Sequence, residues 1–360
     1  MTRRAYLDWL RGIAVLIMIE GHARDSWTRV ADRDSVLYPW LTILTGFGAP
    51  IFLFLAGVSL ALAAGSRLRK GLARSEVGRT AVRRGLTIFG LAFLFRLQSW
   101  IISGGPFPQS LLTVDILNVM GVAMVAAALL WWLGSNARTR TAIFVGATAA
   151  AAMATPLVRE AATLAVLPDP IELYLRPFGG RATFTLFPWA AFLLAGCAAG
   201  VSLDAVRDAP SERRLNLALA GIGAATAAAS YAASFLPPLY ESVSFWTTSP
   251  AFFFLRLGIL IAAVPVAYAI SAFVRAPRLE EFGRASLFVY WIHVEMAYGI
   301  LSLPLHRRLT LGQSMMAFAI FTLLLFALVR LKARVVARNA KIGQNRAAGP
   351  VIEPSLQNGR

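Results

Sequence analysis

Cysteine is almost missing from this chain. Cys197 stands alone among 360 residues, so no internal disulfide can form and a disulfide scaffold is excluded. Charge is scarce too: 15% of the residues are charged, against roughly 25% in soluble proteins. Lysine is the rarest cation, three of 35 basic residues, and alanine is abundant. That bias fits a GC-rich coding sequence, so the net charge of +17 says less than where the charges lie. There are three histidines, His22, His293 and His306, and no tight His/Cys/carboxylate spacing, so no metal site is expected. A cleavable leader is not expected either. The first apolar run starts near residue 7, contains Arg11 and lacks a small-residue cleavage site, so it reads as a retained first span.

What the chain has is apolar length. Hydrophobic residues make up 58% of it, in long runs with turn-forming breaks between them. Such runs are membrane spans. The fold class expected is all-α, a polytopic membrane protein with about ten transmembrane helices in one bundle. The spans fall near 7–25, 40–64, 82–103, 111–133, 140–158, 184–204, 215–236, 251–274, 284–305 and 311–331. Residues 1–331 then form one membrane domain, and 332–360 a polar cytoplasmic tail expected to be disordered. The longest loop, 158–183, has room for a small re-entrant or surface element. Gly57 and the Gly196/Gly200 pair suit close helix packing.

Orientation follows from arginine and lysine placement. Twenty-three of the 35 basic residues lie on one side of the ten spans, including the dense group from Arg67 to Arg84, and eight lie on the other. Both termini then face the cytoplasm. Basic residues at span ends set topology, so nucleic acid is not an expected partner.

Ionisable groups inside spans are costly, about 2.5–3.5 kcal/mol each on insertion scales, and mark function. With this orientation, His22, Asp25, Arg96, Asp115, Arg256, His293 and Glu295 converge on one depth in the outer half. Arg11 lies near the cytoplasmic end of span one, and Arg79, Arg83 and Arg84 near the entry to span three. The pattern predicts an outward-opening polar cavity above a basic cytoplasmic mouth. Simpler roles compete: Arg96 and Asp115 as a structural ion pair, Arg83 and Arg84 as topology signals, Glu20 as an interfacial residue, His293 as a packing histidine, Asp8 as a cap that pairs with Arg11.

Arg11 and His22 have the form R-x10-H, which resembles the first-helix signature of the membrane acyltransferases of family 3. The wider stretches "YLDWLRGIAVLIMIEGHARD", "GAPIFLFLAGVSL", "FTLFPWAAFLLAGCAAG" and "LEEFGRASLFVYWIHVEMAYG" resemble more closely the bacterial relatives of the heparan-α-glucosaminide N-acetyltransferase catalytic domain. The resemblance implies transfer of an acyl group, acetyl first, from cytoplasmic acyl-CoA to a hydroxyl or amine of a carbohydrate or lipid-linked acceptor. It also implies residence in the bacterial cytoplasmic (inner) membrane. The lysosomal group carries asparagine where this chain has His22, and its catalytic histidine lies further along the first loop. No histidine occurs there in this chain, so the role falls to His22.

On that reading, Arg11, Arg79, Arg83 and Arg84 bind the coenzyme A phosphates, since guanidinium groups offer planar, bidentate contacts. His22, about 16 Å deeper at 1.5 Å per residue, is the general base. Asp25 or Glu20 orients it. Arg96, Asp115, Arg256, His293 and Glu295 serve the acceptor or the developing oxyanion. The competing reading is a secondary transporter with a proton-coupled polar site.

Overall fold

Apolar segments in a bilayer must satisfy their backbone groups internally, and this chain does so with helices. The structure, a computed structural model, describes residues 4–347, with side chains through residue 340. The helices are α1 (Ala5–Trp27), α2 (Leu37–Thr45), α3 (Gly48–Arg69), α4 (Arg74–Ser103), α5 (Ile116–Leu133), α6 (Ala137–Glu160), α7 (Asp169–Leu175), α8 (Leu186–Ala205), α9 (Ala209–Ala233), α10 (Pro250–Ser271), α11 (Pro277–Arg284), α12 (Ser286–Tyr298) and α13 (Leu311–Ala347). Among the described residues, extended backbone pairs only at two isolated bridges, Thr28 with Leu309 and Val114 with Ala182. The fold is all-α and polytopic, as the sequence predicts.

Eight helical segments among the described residues are long and apolar enough to cross a membrane: α2 with α3, α4, α5, α6, α8, α9, α10 and α13. The other two expected spans differ in kind. α1 has the length, 23 residues, but carries Asp8, Arg11, Glu20, Arg24 and Asp25. α12 has 13 residues, against the ~20 a span needs. α1 is not a lipid-facing helix. It packs against α3, α10, α11, α12 and α13, and two thirds of its residues are buried. Several of the ionisable residues expected at depth, Glu20, His22, Arg24 and Asp25, therefore ride on a helix that the bundle largely covers.

Several boundaries differ from the sequence expectation. Span two is broken at Gly46 and Phe47 into α2 and α3. Arg79, Arg83 and Arg84, expected in a loop, ride on the first turns of α4, which extends to Arg74. Arginine is a good helix former, and Glu76 in the first turn complements the helix dipole. The loop at 158–183 holds the short helix α7. α13 runs through Ala347 instead of stopping near 331, and residues 348–360 of the expected tail lie outside the described residues.

Between helices in lipid there is little hydrophobic drive, so small residues that allow close van der Waals approach decide the packing. α3 and α8 meet this way. A methyl added at Gly57 would lie 1.9 Å from the Leu193 carbonyl oxygen, and one at Gly196 would lie 1.9 Å from that of Phe54. α1 and α11 also approach closely, through Gly12 and Gly283. An apolar cluster of Val15, Ile19 and Ala23 on α1, Val289 and Ala297 on α12, and Phe321 and Leu325 on α13 fixes α1 against the C-terminal helices.

Candidate active site

The C-terminal end of α1 is tied to the segment before α13. The amides of Arg307 and Leu309 donate to the carbonyls of Ser26 and Trp27 at 3.0 Å, and that of Arg29 to Leu309 at 2.9 Å. This clamp and the shared apolar cluster hold α1 beside α12, and they set two histidines edge to edge. His22 Nδ1 lies 2.8 Å from His293 Nε2. The two rings are parallel to within 1°, with centroids 5.0 Å apart. His293 is fully buried, and its Nδ1 lies 2.8 Å from the Val289 carbonyl oxygen one turn earlier on α12. His22 is half-buried. Tyr298 packs at an angle against His22, with ring centroids 5.4 Å apart.

Neither carboxylate expected to orient His22 bonds to it. Glu20 is two residues earlier, and two residues on a helix is a 200° turn, which aims it away. It forms a buried ion pair with Arg24, Nε to Oε1 2.8 Å. Arg24 also donates to the hydroxyls of Thr42 and Thr45 at 3.1 Å and stacks over Tyr38, 4.4 Å from the ring centroid. This cluster fastens α2 to α1. Asp25 is exposed, accepts a 2.9 Å hydrogen bond from the Tyr298 hydroxyl, and lies 3.8 Å from Arg33. Among the described residues its hydrogen-bonded link toward His22 is Tyr298, whose ring packs on that imidazole. The structure puts His293 where a carboxylate was expected.

The other residues expected at the same depth separate into distinct arrangements. Arg96 and Asp115 form the expected ion pair, Nε to Oδ2 3.2 Å. Asp115 is also the N-cap of α5 in a capping box with Asn118, a structural use that satisfies the free amides of the first turn. Phe95, next to Arg96, packs on Tyr290, and Tyr290 packs on His293. Glu295 is buried within α12, and its Oε2 has no hydrogen-bond partner among the described residues. Arg256 donates to the Gly46 carbonyl and lies within 5.1–5.8 Å of the ring centroids of Phe47, Trp189, Phe192 and Phe252. It has no carboxylate partner among the described residues. Gly48, at the same α2–α3 junction, sits against Ile17 and Met18 of α1.

Towards the other end of α1, Arg11 pairs with Asp8 at 2.9 Å and donates to the Ser59 hydroxyl of α3. Asp8 is not the helix cap; it sits inside α1 and is buried. Arg79, Arg83 and Arg84 are exposed on α4. Sequence reasoning did not single out two cavities on this side. One, of about 620 Å³, is lined by Arg213, Arg214 and Tyr268 with Ala209, Pro210 and Leu217. The other, of about 240 Å³, is lined in part by Arg140, Arg207 and Asp204. Their only sequence signal was the basic bias of this side, which does not tell a cavity wall from a topology signal. Tyr298 and Ser59 were missed for the same reason, because neutral polar residues leave no mark in a charge count.

The sequence model described as heparan-alpha-glucosaminide N-acetyltransferase, catalytic, matches residues 3–228, from α1 into α9. No curated protein matches the chain. The matched stretch contains Arg11, His22 and the α3–α8 contact, and it covers more than half of the sequence. The chain belongs to the heparan-alpha-glucosaminide N-acetyltransferase catalytic domain family.

Proposed function

We propose that this membrane acetyltransferase takes its acetyl group from acetyl-CoA at the cytoplasmic side and passes it to a hydroxyl or amine of a carbohydrate or lipid-linked acceptor, with His22 as general base. The observation that carries the reading is His22 itself. It is a half-buried imidazole on the enclosed helix α1, hydrogen-bonded to a fully buried second histidine, within the family-matched stretch. Histidine suits the task because its unperturbed pKa lies near neutrality. The acceptor's oxygen or nitrogen attacks the thioester carbon and its proton passes to His22. The carbon–sulfur bond then breaks, and the leaving thiolate takes that proton back, giving acetylated acceptor, free thiol and neutral histidine.

The donor's phosphates require guanidinium groups. Arg11, Arg79, Arg83 and Arg84 remain the proposed set, and Arg213 and Arg214 join them because they line the larger cavity. Arg256 is the proposed contact for the acceptor or the oxyanion, as a cation without a carboxylate partner. The membrane unit, residues 1–331, carries the activity in the bacterial cytoplasmic membrane with both termini inside. The transporter reading has no comparable support, since a family match to a catalytic domain runs through most of the helices on which it would depend.

The test uses purified protein, labelled acetyl-CoA and a panel of amino sugars, neutral sugars and lipid-linked sugars. His22→Ala is expected to keep acetyl-CoA binding by calorimetry and to lose transfer. Full transfer by a folded His22→Ala protein would overturn the assignment.

A further inference from the structure

Two imidazoles sharing one hydrogen bond cannot both donate, and the backbone decides which does. His293 Nδ1 faces the Val289 carbonyl oxygen at 2.8 Å. A carbonyl only accepts, so this nitrogen carries a proton. With its proton on Nδ1, a neutral His293 presents a lone pair at Nε2. His22 Nδ1, 2.8 Å away, must then be the donor. The proton of a neutral His22 is thereby held on Nδ1, and its lone pair is held on Nε2. Among the described residues no hydrogen bond from the chain occupies that atom. The cationic alternative, with both His293 nitrogens donating, would place a full charge at a position with 0% exposure and no bonded carboxylate, and such burial carries a penalty of several kcal/mol.

We infer that His293 is a positioning residue: the Val289 carbonyl, His293 and His22 form a one-way hydrogen-bond chain that makes His22 Nε2 the proton-accepting atom. This rests on the proposed role of His22 and adds what orients it. In a Ser-His-Asp triad a carboxylate holds the imidazole's tautomer. Here a neutral histidine does so, itself fixed by a backbone carbonyl in the preceding turn. The two rings are parallel to within 1°, as an in-plane N–H···N bond requires, and Tyr298 packs at an angle against His22, 5.4 Å between centroids. A carbonyl anchor is part of α12 and cannot rotate away, so the chain's direction is built into the helix. It also explains why Glu20 and Asp25 can be engaged elsewhere without leaving His22 undirected.

The experiment compares His293→Phe, which removes the acceptor, with His293→Gln, whose amide oxygen falls near the Nε2 position and restores it. Both are measured for kcat, for acetyl-CoA KM and for the melting temperature in detergent. The expected result is a kcat loss of about 10²–10⁴-fold in His293→Phe, the range that general-base catalysis contributes, with about 10⁴ the loss a wrong tautomer produces in a triad. KM for acetyl-CoA should stay unchanged, and His293→Gln should recover most of the loss. Nitrogen-15 NMR of histidine-labelled protein in a His306→Gln background, which leaves two imidazoles, should show both protonated at Nδ1. A His22 imidazole protonated at Nε2, or wild-type kcat in folded His293→Phe, would overturn the inference. If His293→Phe does not fold, the NMR tautomers and the activity of His293→Gln decide it. Loss of transfer in His22→Ala with normal turnover in His293→Phe refutes the positioning role alone. Transfer by His22→Ala refutes the underlying reading.

Discussion

Replacing Glu20 with alanine separates a chemical role for this carboxylate from a structural one. Glu20 and Arg24 have side-chain exposures of 9% and 3%, and their 2.8 Å contact is their only ion pair among the described residues. Removing one partner of a buried pair leaves an uncompensated charge and destabilises by about 3–5 kcal/mol, whereas replacing both by apolar groups of similar volume is often neutral. Arg24 would keep its hydroxyl contacts to Thr42 and Thr45 and its place over Tyr38, which puts the expected loss at the lower end, about 3 kcal/mol. The double variant Glu20→Leu/Arg24→Met should return to within about 1–2 kcal/mol of wild type, allowing for the lost threonine bonds. A double-mutant cycle by reversible denaturation in mixed micelles measures the coupling, with transfer activity assayed on the same samples. The structural account expects the double variant to retain transfer, because neither residue bonds to His22. A stable double variant without activity would return Glu20 to the chemistry and refute the reasoning. A Glu20→Ala protein as stable as wild type would refute the energetics.

The α3–α8 contact should not tolerate a side chain. Gly57→Leu or Gly196→Leu would force the helices apart at carbonyls 1.9 Å from the new Cβ, and a melting temperature equal to wild type would count against this packing. Arg256→Met should weaken acceptor KM or kcat while leaving acetyl-CoA binding by calorimetry intact; an equal loss in both would make the residue a structural support of the α2–α3 junction. Asp32 accepts hydrogen bonds from the Arg29 guanidinium and the Leu311 amide, both 2.9 Å, and these, the arginine first, hold its carboxyl below the ordinary range. A depressed folded-state pKa means that its stabilisation is complete above the usual value of about 4 and fades as pH falls through the folded value. The stability gap between wild type and Asp32→Asn should therefore close on acidification, and a gap constant from pH 6 to pH 3 would contradict the clamp.

The residues of the histidine pair were both visible as intramembrane ionisable groups, but their partnership was not. His22 and His293 are 271 positions apart, and their meeting depends on the rotation of α12 relative to α1. No local pattern encodes that rotation. Arg96 and Asp115 were legible as a pair because they lie near the adjoining ends of two consecutive helices, where position along the chain alone brings them together. Asp25 and Glu20 were misplaced because proximity in sequence was read as proximity of side chains, and helical geometry turns Glu20 to the opposite side.

Sequence alone determined the helical, membrane-crossing character and the family. Run length and apolar content are local quantities, and the cost of unsatisfied backbone in lipid leaves helices as the answer. It also determined which titratable residues would lie at depth, since their positions along each run are countable. Only the tertiary structure decided that α1 is largely covered by other helices, that Glu20 pairs with Arg24 and Asp115 caps α5, and that one histidine bonds to another. Those outcomes depend on which helix faces meet, and close contacts at a few glycines set the faces.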